Sequence, residues 1–296
     1  MKIGIAGTGR MGAAIGERLM AEGYELVVWN RTKDKLKPLI DAGAVSAATP
    51  SELVGAVDTI ITILTNAEAI DATFRGPDGL LSGDIAGKLF IEMSTVRPVT
   101  EEGLATDIRA KGGAMVDAPV GGTTGPARDG KLVGVVGGDD ADVARAMPVL
   151  EKLCRRVEHV GPVGAGASFK LAINLPLVVY WQALGEALSL CSQHGVDPAK
   201  IADLFSDTSA GPNVMKVRGS AVAAALNGEK VPGTFDIDSM RKDMRTMLEE
   251  GKARGVDLPL VAGTLSCYDE SSEAGLGLLD PAMETAYWVN RGAKKN

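Results

Sequence analysis

Aromatic residues make up only 4% of this 296-residue chain, and histidine occurs just twice, at His159 and His194. No cysteine or acidic cluster stands at metal-ligand spacing, so no metal site is expected. Cysteine is equally scarce. Cys154, Cys191 and Cys267 are odd in number, far apart and form no CxxC pair. Buried, reduced thiols and a cytoplasmic setting are expected, rather than a disulfide framework. Positive charge is in short supply: the net charge is −7, the pI about 5.1, and no basic run exceeds Lys294-Lys295. That disfavours a nucleic-acid partner. Lys2 is followed at once by a short strand and a glycine turn, with no long apolar region or cleavage site, so a signal peptide is not expected. The longest apolar run, Leu171 to Leu190, is broken by Asn174, Gln182 and Glu186. It reads as a buried helix and not as a membrane span.

What the chain does have is glycine, 37 residues of it, with 45% hydrophobic and 23% charged residues. The first half alternates short β-branched runs with amphipathic segments. Strands are expected at Lys2–Ala6, Glu25–Trp29, Ala44-Val45, Thr59–Leu64, Leu89–Met93, Ala114–Ala118, Leu132–Val136 and Val157–Val160. Helices are expected at Met11–Glu22, Lys33–Ala42, Pro50–Ala56, Val99–Lys111 and Ala141–Leu153. Such alternation predicts an α/β fold, a Rossmann-type doubly wound parallel sheet. After Gly161-Pro162 the pattern becomes helical, with helices from the Lys170 segment onward at Pro198–Ser206, Asn213–Ala225, Ser239–Ala253, Pro259–Glu273 and Asp280–Val289. The expected organisation is a nucleotide-binding domain over residues 1–161 and an all-helical C-terminal domain over 162–296.

Gly7-Thr8-Gly9-Arg10-Met11-Gly12 matches GxGxxG, and it follows a strand and opens a helix, the context the motif requires. The first glycine allows the tight turn, the second admits the pyrophosphate and the third lets the helix pack closely, while the helix N-terminus offers N–H groups to phosphate. At the end of the second strand, binders of NAD usually carry an acid for the ribose 2′-hydroxyl. Here the sequence is Asn30-Arg31-Thr32. A carboxylate would repel a 2′-phosphate, whereas a guanidinium binds one bidentately. NADP(H) is therefore the expected cofactor, with NAD(H) possible; a merely solvated Arg31 is the alternative. Leu64-Thr65 and Ser94-Thr95 end two more strands at the edge where ligands of open α/β sheets sit. Thr95 is expected to reach the nicotinamide or the substrate.

Lys170 and Asn174 lie four residues apart in the apolar segment, on one helical face. A lysine in such a setting calls for a partner or a task, and beside a hydride carrier the task is proton transfer. Pro176 is expected to kink this helix.

The chain resembles the β-hydroxyacid dehydrogenase family, which includes 3-hydroxyisobutyrate dehydrogenase, tartronate semialdehyde reductase and the glyoxylate/succinic semialdehyde reductases. Four motifs carry the likeness across essentially the whole chain: Gly7–Gly12, Asp117-Ala-Pro-Val-Gly-Gly122, Gly164-Ala-Gly-Ala-Ser-Phe-Lys170 with Asn174, and Lys242-Asp243. The resemblance implies reduction of a small acid-bearing aldehyde, such as glyoxylate, succinic semialdehyde or tartronate semialdehyde, to the hydroxy acid, and the reverse oxidation. It implies that Lys170 is the proton donor, that Asn174 holds the substrate oxygen or the amine, and that Lys242 approaches the cofactor with Asp243 beside it. It also implies a homodimer or homotetramer.

One departure stands out. Where the family loop has a serine for the substrate's acid group, this chain has Gly121, followed by Gly122, Thr123 and Thr124. The Thr123 and Thr124 hydroxyls are candidates for the missing contact, with Arg128 as a further cation nearby. A threonine here is similar to sulfolactaldehyde reductases, although those carry an arginine where Gly122 stands. A sulfonated-aldehyde reductase is thus an alternative. An imine reductase is another, disfavoured because those enzymes generally lack the lysine. A non-catalytic nucleotide-binding module is the most remote reading.

Overall fold

In the computed structural model, which describes residues 1–191, 194–208 and 211–293, the chain forms two compact units, Met1–Leu171 and a second one from Ala172 onward. The first unit is built on a nine-stranded sheet. Its strands are β1 (Lys2–Ala6), β2 (Glu25–Trp29), β3 (Val45–Ser46), β4 (Thr59–Thr62), β5 (Leu89–Glu92), β6 (Ala114–Asp117), β7 (Val120–Gly121), β8 (Leu132–Gly137) and β9 (Cys154–Gly161). The order is β3-β2-β1-β4-β5-β6-β8-β7, with β9 paired to β8. From β3 to β6 all neighbours are parallel; β8 is antiparallel to both β6 and β7 and parallel to β9. The helices of this unit are α1 (Arg10–Ala21), α2 (Lys37–Asp41), α3 (Pro50–Gly55), α4 (Ala67–Arg75), α5 (Pro98–Ala110), α6 (Thr124–Arg128) and α7 (Asp140–Leu153).

The doubly wound arrangement follows from alternation along each strand. Ile3, Ile5, Ile61, Leu89 and Ile91 point to one face and join Ile15 and Leu19 of α1 and Leu150 of α7. Ile60, Phe90 and Met115 point to the other and join Leu53 of α3, Phe74 of α4 and Leu104 of α5. Both faces are apolar, as a parallel sheet covered on both sides requires.

Three local differences from the sequence pattern have physical reasons. The segment expected as one helix from Lys33 splits into a 3-10 turn, Lys33–Leu36, and α2, because Pro38 supplies no N–H and restarts the helix. Helix α4 was not anticipated. Asn66 caps it by accepting from Ala69 N at 2.9 Å, and Ile70, Thr73 and Phe74 form its buried stripe. The segment after Asp117, expected as a loop, contains β7 and the short α6.

The second unit consists of helices. Helix α8 (Ala165–Ser189) crosses the border between the units and runs through Pro176 as one α-helix; α9 (Pro198–Asp207), α10 (Asn213–Leu226), α11 (Ile237–Arg254), α12 (Pro259–Ser271) and α13 (Ala282–Ala293) follow. Among the described residues after Gly161, strand pairing is limited to an isolated bridge between Pro232 and Leu279. Helix α8 is long and apolar enough to cross a membrane by length and composition. Within this unit its buried side chains include Asn174, Val178, Trp181, Gln182, Leu184 and Leu188. Its backbone carbonyls at Val178 and Trp181 accept from Tyr268 Oη at 3.1 Å and Thr285 Oγ1 at 3.0 Å, which ties α12 and α13 to it.

The first turns of α8 belong to the first unit, and Asp117 at the end of β6 binds them there. Its carboxylate accepts from Gly164 N at 2.9 Å and Ala167 N at 2.8 Å, so the first turn of α8 is capped by a side chain of the sheet. The approach is close. A Cβ on Gly166 would lie 2.6 Å from the Asp117 carbonyl oxygen and 2.8 Å from that of Val135, and one on Gly137 would lie 2.3 Å from Asp117 Oδ1. Gly166→Ala meets two backbone atoms that cannot yield and should cost about 2 kcal/mol or more. Gly263→Ala, in α12 where a Cβ meets nothing within 4 Å, should instead stabilise by about 0.5–1 kcal/mol. Urea unfolding of the two variants measures the contrast; equal midpoints would remove the close-approach argument.

Candidate active site

The glycine motif forms a phosphate-sized cradle between β1 and α1. A Cβ on Gly12 would sit 1.9 Å from the Gly7 carbonyl oxygen, so this glycine lets the helix start against the loop. A Cβ on Gly9 would meet nothing within 4 Å, and the space above the loop is open. Helix α1 has no side-chain cap at Gly9 and no acid in its first turn. Its N–H groups and the positive end of its dipole are available to an anion. Within this cradle Thr8 is buried, Met11 packs against the core and Arg10 is exposed. The residues fit a dinucleotide pyrophosphate.

Asn30 has a role that the sequence did not disclose. Its Oδ1 accepts from Thr8 N at 3.0 Å and its Nδ2 donates to the Thr32 carbonyl at 2.8 Å. The Thr8 hydroxyl adds a bond to the Lys35 carbonyl at 3.1 Å. The end of β2 is thereby strapped to the glycine loop. Arg31 and Thr32 are exposed beside it, and Arg31 makes no hydrogen bond or ion pair among the described residues.

At the ends of β4 and β5, Leu64 N donates to Ser94 Oγ at 2.7 Å, which joins the two edges carrying Leu64-Thr65 and Ser94-Thr95. Thr65 is exposed and Thr95 half-buried. Beneath them lies a group of carboxyls, of which the sequence pattern singled out Asp117 and not Glu92 or Glu101. Glu92, Glu101 and Asp117 are fully buried. Burial pushes Glu92 up to about 7, although hydrogen bonds from Ser94 oppose it. Burial and then the Glu92 charge push Glu101 well above the ordinary carboxylate range. Burial raises Asp117 to about 6 against the pull of the Ala167 and Gly164 N–H groups. The visible signal was an acid closing the apolar run Leu89-Phe90-Ile91.

The loop expected to bind the substrate's acid group places Gly121 on β7, opposite Val133. The nearest atom to a Cβ there would be the Val133 carbonyl oxygen at 3.8 Å, so a side chain fits. Gly122 has a φ of 125°. Thr123 is half-buried, precedes α6 without capping it, and its hydroxyl makes no hydrogen bond among the described residues. Arg128, by contrast, is engaged by Glu17 at 2.5 Å.

Lys170 is half-buried in the second turn of α8. Asn174, one turn further, is buried, and its Nδ2 donates to Asp243 Oδ2 at 2.9 Å. Asp243 is 1% exposed, and its other oxygen pairs with Lys242 Nζ at 2.6 Å. The structure thus joins Asn174, Asp243 and Lys242 in one chain, with the carboxylate held from both sides rather than facing solvent. No group of His, Cys, Asp and Glu able to hold a metal occurs among the described residues.

Known proteins resemble the chain over nearly its whole length. Residues 2–161 match the model of the NAD binding domain of 6-phosphogluconate dehydrogenase, and residues 164–285 that of the NAD-binding domain of NADP-dependent 3-hydroxyisobutyrate dehydrogenase. Glyoxylate/succinic semialdehyde reductase 1 of Arabidopsis thaliana is 32% identical over 95% of this chain and 96% of its own length. The 3-sulfolactaldehyde reductase of Escherichia coli is 30% identical over 94% of this chain and 92% of its own. The structure of Mycobacterium tuberculosis 3-hydroxyisobutyrate dehydrogenase with L-serine superposes with a TM-score of 0.84 at 25% identity, covering 96% of this chain and 97% of that one. With its glycine cradle, its paired strand ends and its lysine and asparagine one helical turn apart, the chain belongs to the β-hydroxyacid dehydrogenase family and is an NAD(P)-dependent oxidoreductase.

Proposed function

We propose that the protein reduces a small acid-bearing aldehyde with NADPH, giving the hydroxy acid, and catalyses the reverse oxidation. Glyoxylate, succinic semialdehyde and tartronate semialdehyde are the leading substrates, and the working form is a homodimer or homotetramer. The observation that carries the reading is Lys170, presented one turn before a buried, carboxylate-anchored Asn174 on a helix capped by the nucleotide-binding sheet. The nicotinamide supplies the hydride when bound. Leu64, Thr65 and Thr95 line its side of the sheet edge. Lys170 gives a proton to the carbonyl oxygen in reduction and takes it back in oxidation. Asn174, held by Asp243, holds the substrate oxygen, and Lys242 pairs with the other oxygen of Asp243. The preference for NADPH rests on Asn30 in the acid's usual place and on an exposed Arg31 beside it.

A second reading, a sulfonated aldehyde, is favoured by one observation. Gly121 leaves the space that a loop serine would fill, and Thr123 offers a hydroxyl that makes no hydrogen bond among the described residues.

Three variants test these roles. Lys170→Ala should leave NADPH affinity nearly intact and lower kcat by about two orders of magnitude or more, as loss of a general acid does. Steady-state kinetics with glyoxylate and succinic semialdehyde read this, and retention of half the wild-type kcat would remove the lysine from catalysis. Arg31→Ala should weaken NADPH binding by about 1.5–3 kcal/mol and NADH binding hardly at all, since NADH has no 2′-phosphate. Equal losses, or a wild-type preference for NADH, would overturn the assignment. Thr123→Val should raise KM for an acid-bearing aldehyde by a factor corresponding to about 1–3 kcal/mol and spare an uncharged one of similar size. Gly121→Ser, which the loop has room for, should favour carboxylate over sulfonate substrates. If neither variant distinguishes charged from uncharged aldehydes, the loop does not bind the anion.

A further inference from the structure

The buried acids at the ends of β5 and β6 have no part in the chemistry above, yet they sit directly under the strand ends read as the nicotinamide side. Glu92 gathers donors from two strands. Its Oε2 accepts from Ser94 N at 2.8 Å, and its Oε1 accepts from the Ser94 hydroxyl and from Thr62 Oγ1 at 3.4 Å. Ser94 has a single hydroxyl proton. With that proton given to Glu92, its lone pairs are left for Leu64 N. A directional chain results: the Leu64 N–H donates to Ser94, and Ser94 donates to Glu92.

Glu101, in the first turn of α5, is buried in the same group, and the Glu92 charge raises it. Its two oxygens receive no donor from any described residue, so the donor open to the pair is a proton of its own. Two full charges in contact out of water are not sustainable. Asp117 on β6, and Glu102 beyond it, add negative charge nearby and favour retention of that proton. Glu92 already has its acceptor positions filled by donors, which suits an ionised carboxylate. The proton therefore sits on Glu101 and points at Glu92. Apolar side chains would stabilise this spot better than two buried acids, so packing alone does not account for them.

We propose that Glu92 is a positioning residue for hydride transfer. Acting through Ser94, it fixes the Leu64 backbone and the Ser94-Thr95 turn against the nicotinamide, and Glu101 completes its hydrogen-bond shell by carrying that proton. This rests on the reading of those strand ends as the nicotinamide side.

The two acids predict opposite outcomes for the same isosteric change. Glu101→Gln keeps a donor aimed at Glu92 and should leave kcat within about twofold of wild type. Glu92→Gln turns an N–H toward the Ser94 donors, and should lower kcat by roughly ten- to a hundredfold. It should also alter the fluorescence of bound NADPH, whose emission reports the surroundings of the nicotinamide ring. Affinity for 2′,5′-ADP, which lacks the nicotinamide half, should not change. Ser94→Ala should reproduce the Glu92→Gln phenotype, and the double variant should be no worse than either single one, because both act through one chain. Equal damage from Glu101→Gln and Glu92→Gln, additive losses in the double variant, or an unchanged NADPH signal in Glu92→Gln would each overturn the proposal. If Glu92→Gln does not fold, Ser94→Ala and Glu101→Gln decide it by the same readouts. If the wild type reduces neither glyoxylate nor succinic semialdehyde, the substrate reading fails, and the NADPH fluorescence arm still decides the positioning role.

Discussion

The carboxylate of Asp117 sets where the longest helix begins. Helix N-termini carry unpaired N–H groups, and at α8 two of them are satisfied by a side chain at the tip of a central strand instead of by a residue next to them in sequence. The glycines at 137 and 166 exist to let that side chain in. Once this contact is made, the rotation of the first turns of α8 is fixed, and so is the direction in which Lys170 leaves them. A lysine on an isolated helix would have four flexible carbons and no reference point. Here the reference is the sheet that also carries the glycine cradle.

The sheet was legible because its strands are apolar on both faces and separated by helices of ordinary length; positions such as Ile60-Ile61 and Phe90-Ile91 admit little else. The glycine motif was legible because its residues are neighbours in sequence. What escaped was what depends on residues brought together from afar. Asp117 and Gly164 are 47 positions apart, and their contact reads in the sequence as two separate motifs. Asn30 was read as a missing acid, although both ends of its amide are bonded. Glu92 and Glu101 were passed over because an acid at a strand end or in a first helical turn is ordinary on a surface, and only the tertiary packing buries them. The split of the Lys33 helix, by contrast, was written in Pro38 and was missed because the apolar period continues through it.

The two units divide the work unequally. The first holds the cradle, the strand ends, the loop at Gly121 and Lys170. The second holds Asn174 with Asp243 and Lys242, linked to one another by short bonds, with Asn174 and Asp243 buried and Lys242 half-exposed. The loop that departs most from the family pattern belongs to the first unit, while the anchored asparagine belongs to the second.

Asn30 has an evolutionary consequence. Asparagine and aspartate codons differ by a single base, and an aspartate at this place is the usual mark of a preference for the unphosphorylated cofactor. In this chain the same change would keep the bond to the Thr8 N–H but set a second carboxylate oxygen 2.8 Å from the Thr32 carbonyl, where the amide now donates. The strap on the glycine loop would lose one of its two bonds and gain a repulsion in its place. A single-base step at this codon is therefore a structural change to the loop before it is anything else, and it calls for a compensating change at or around Thr32.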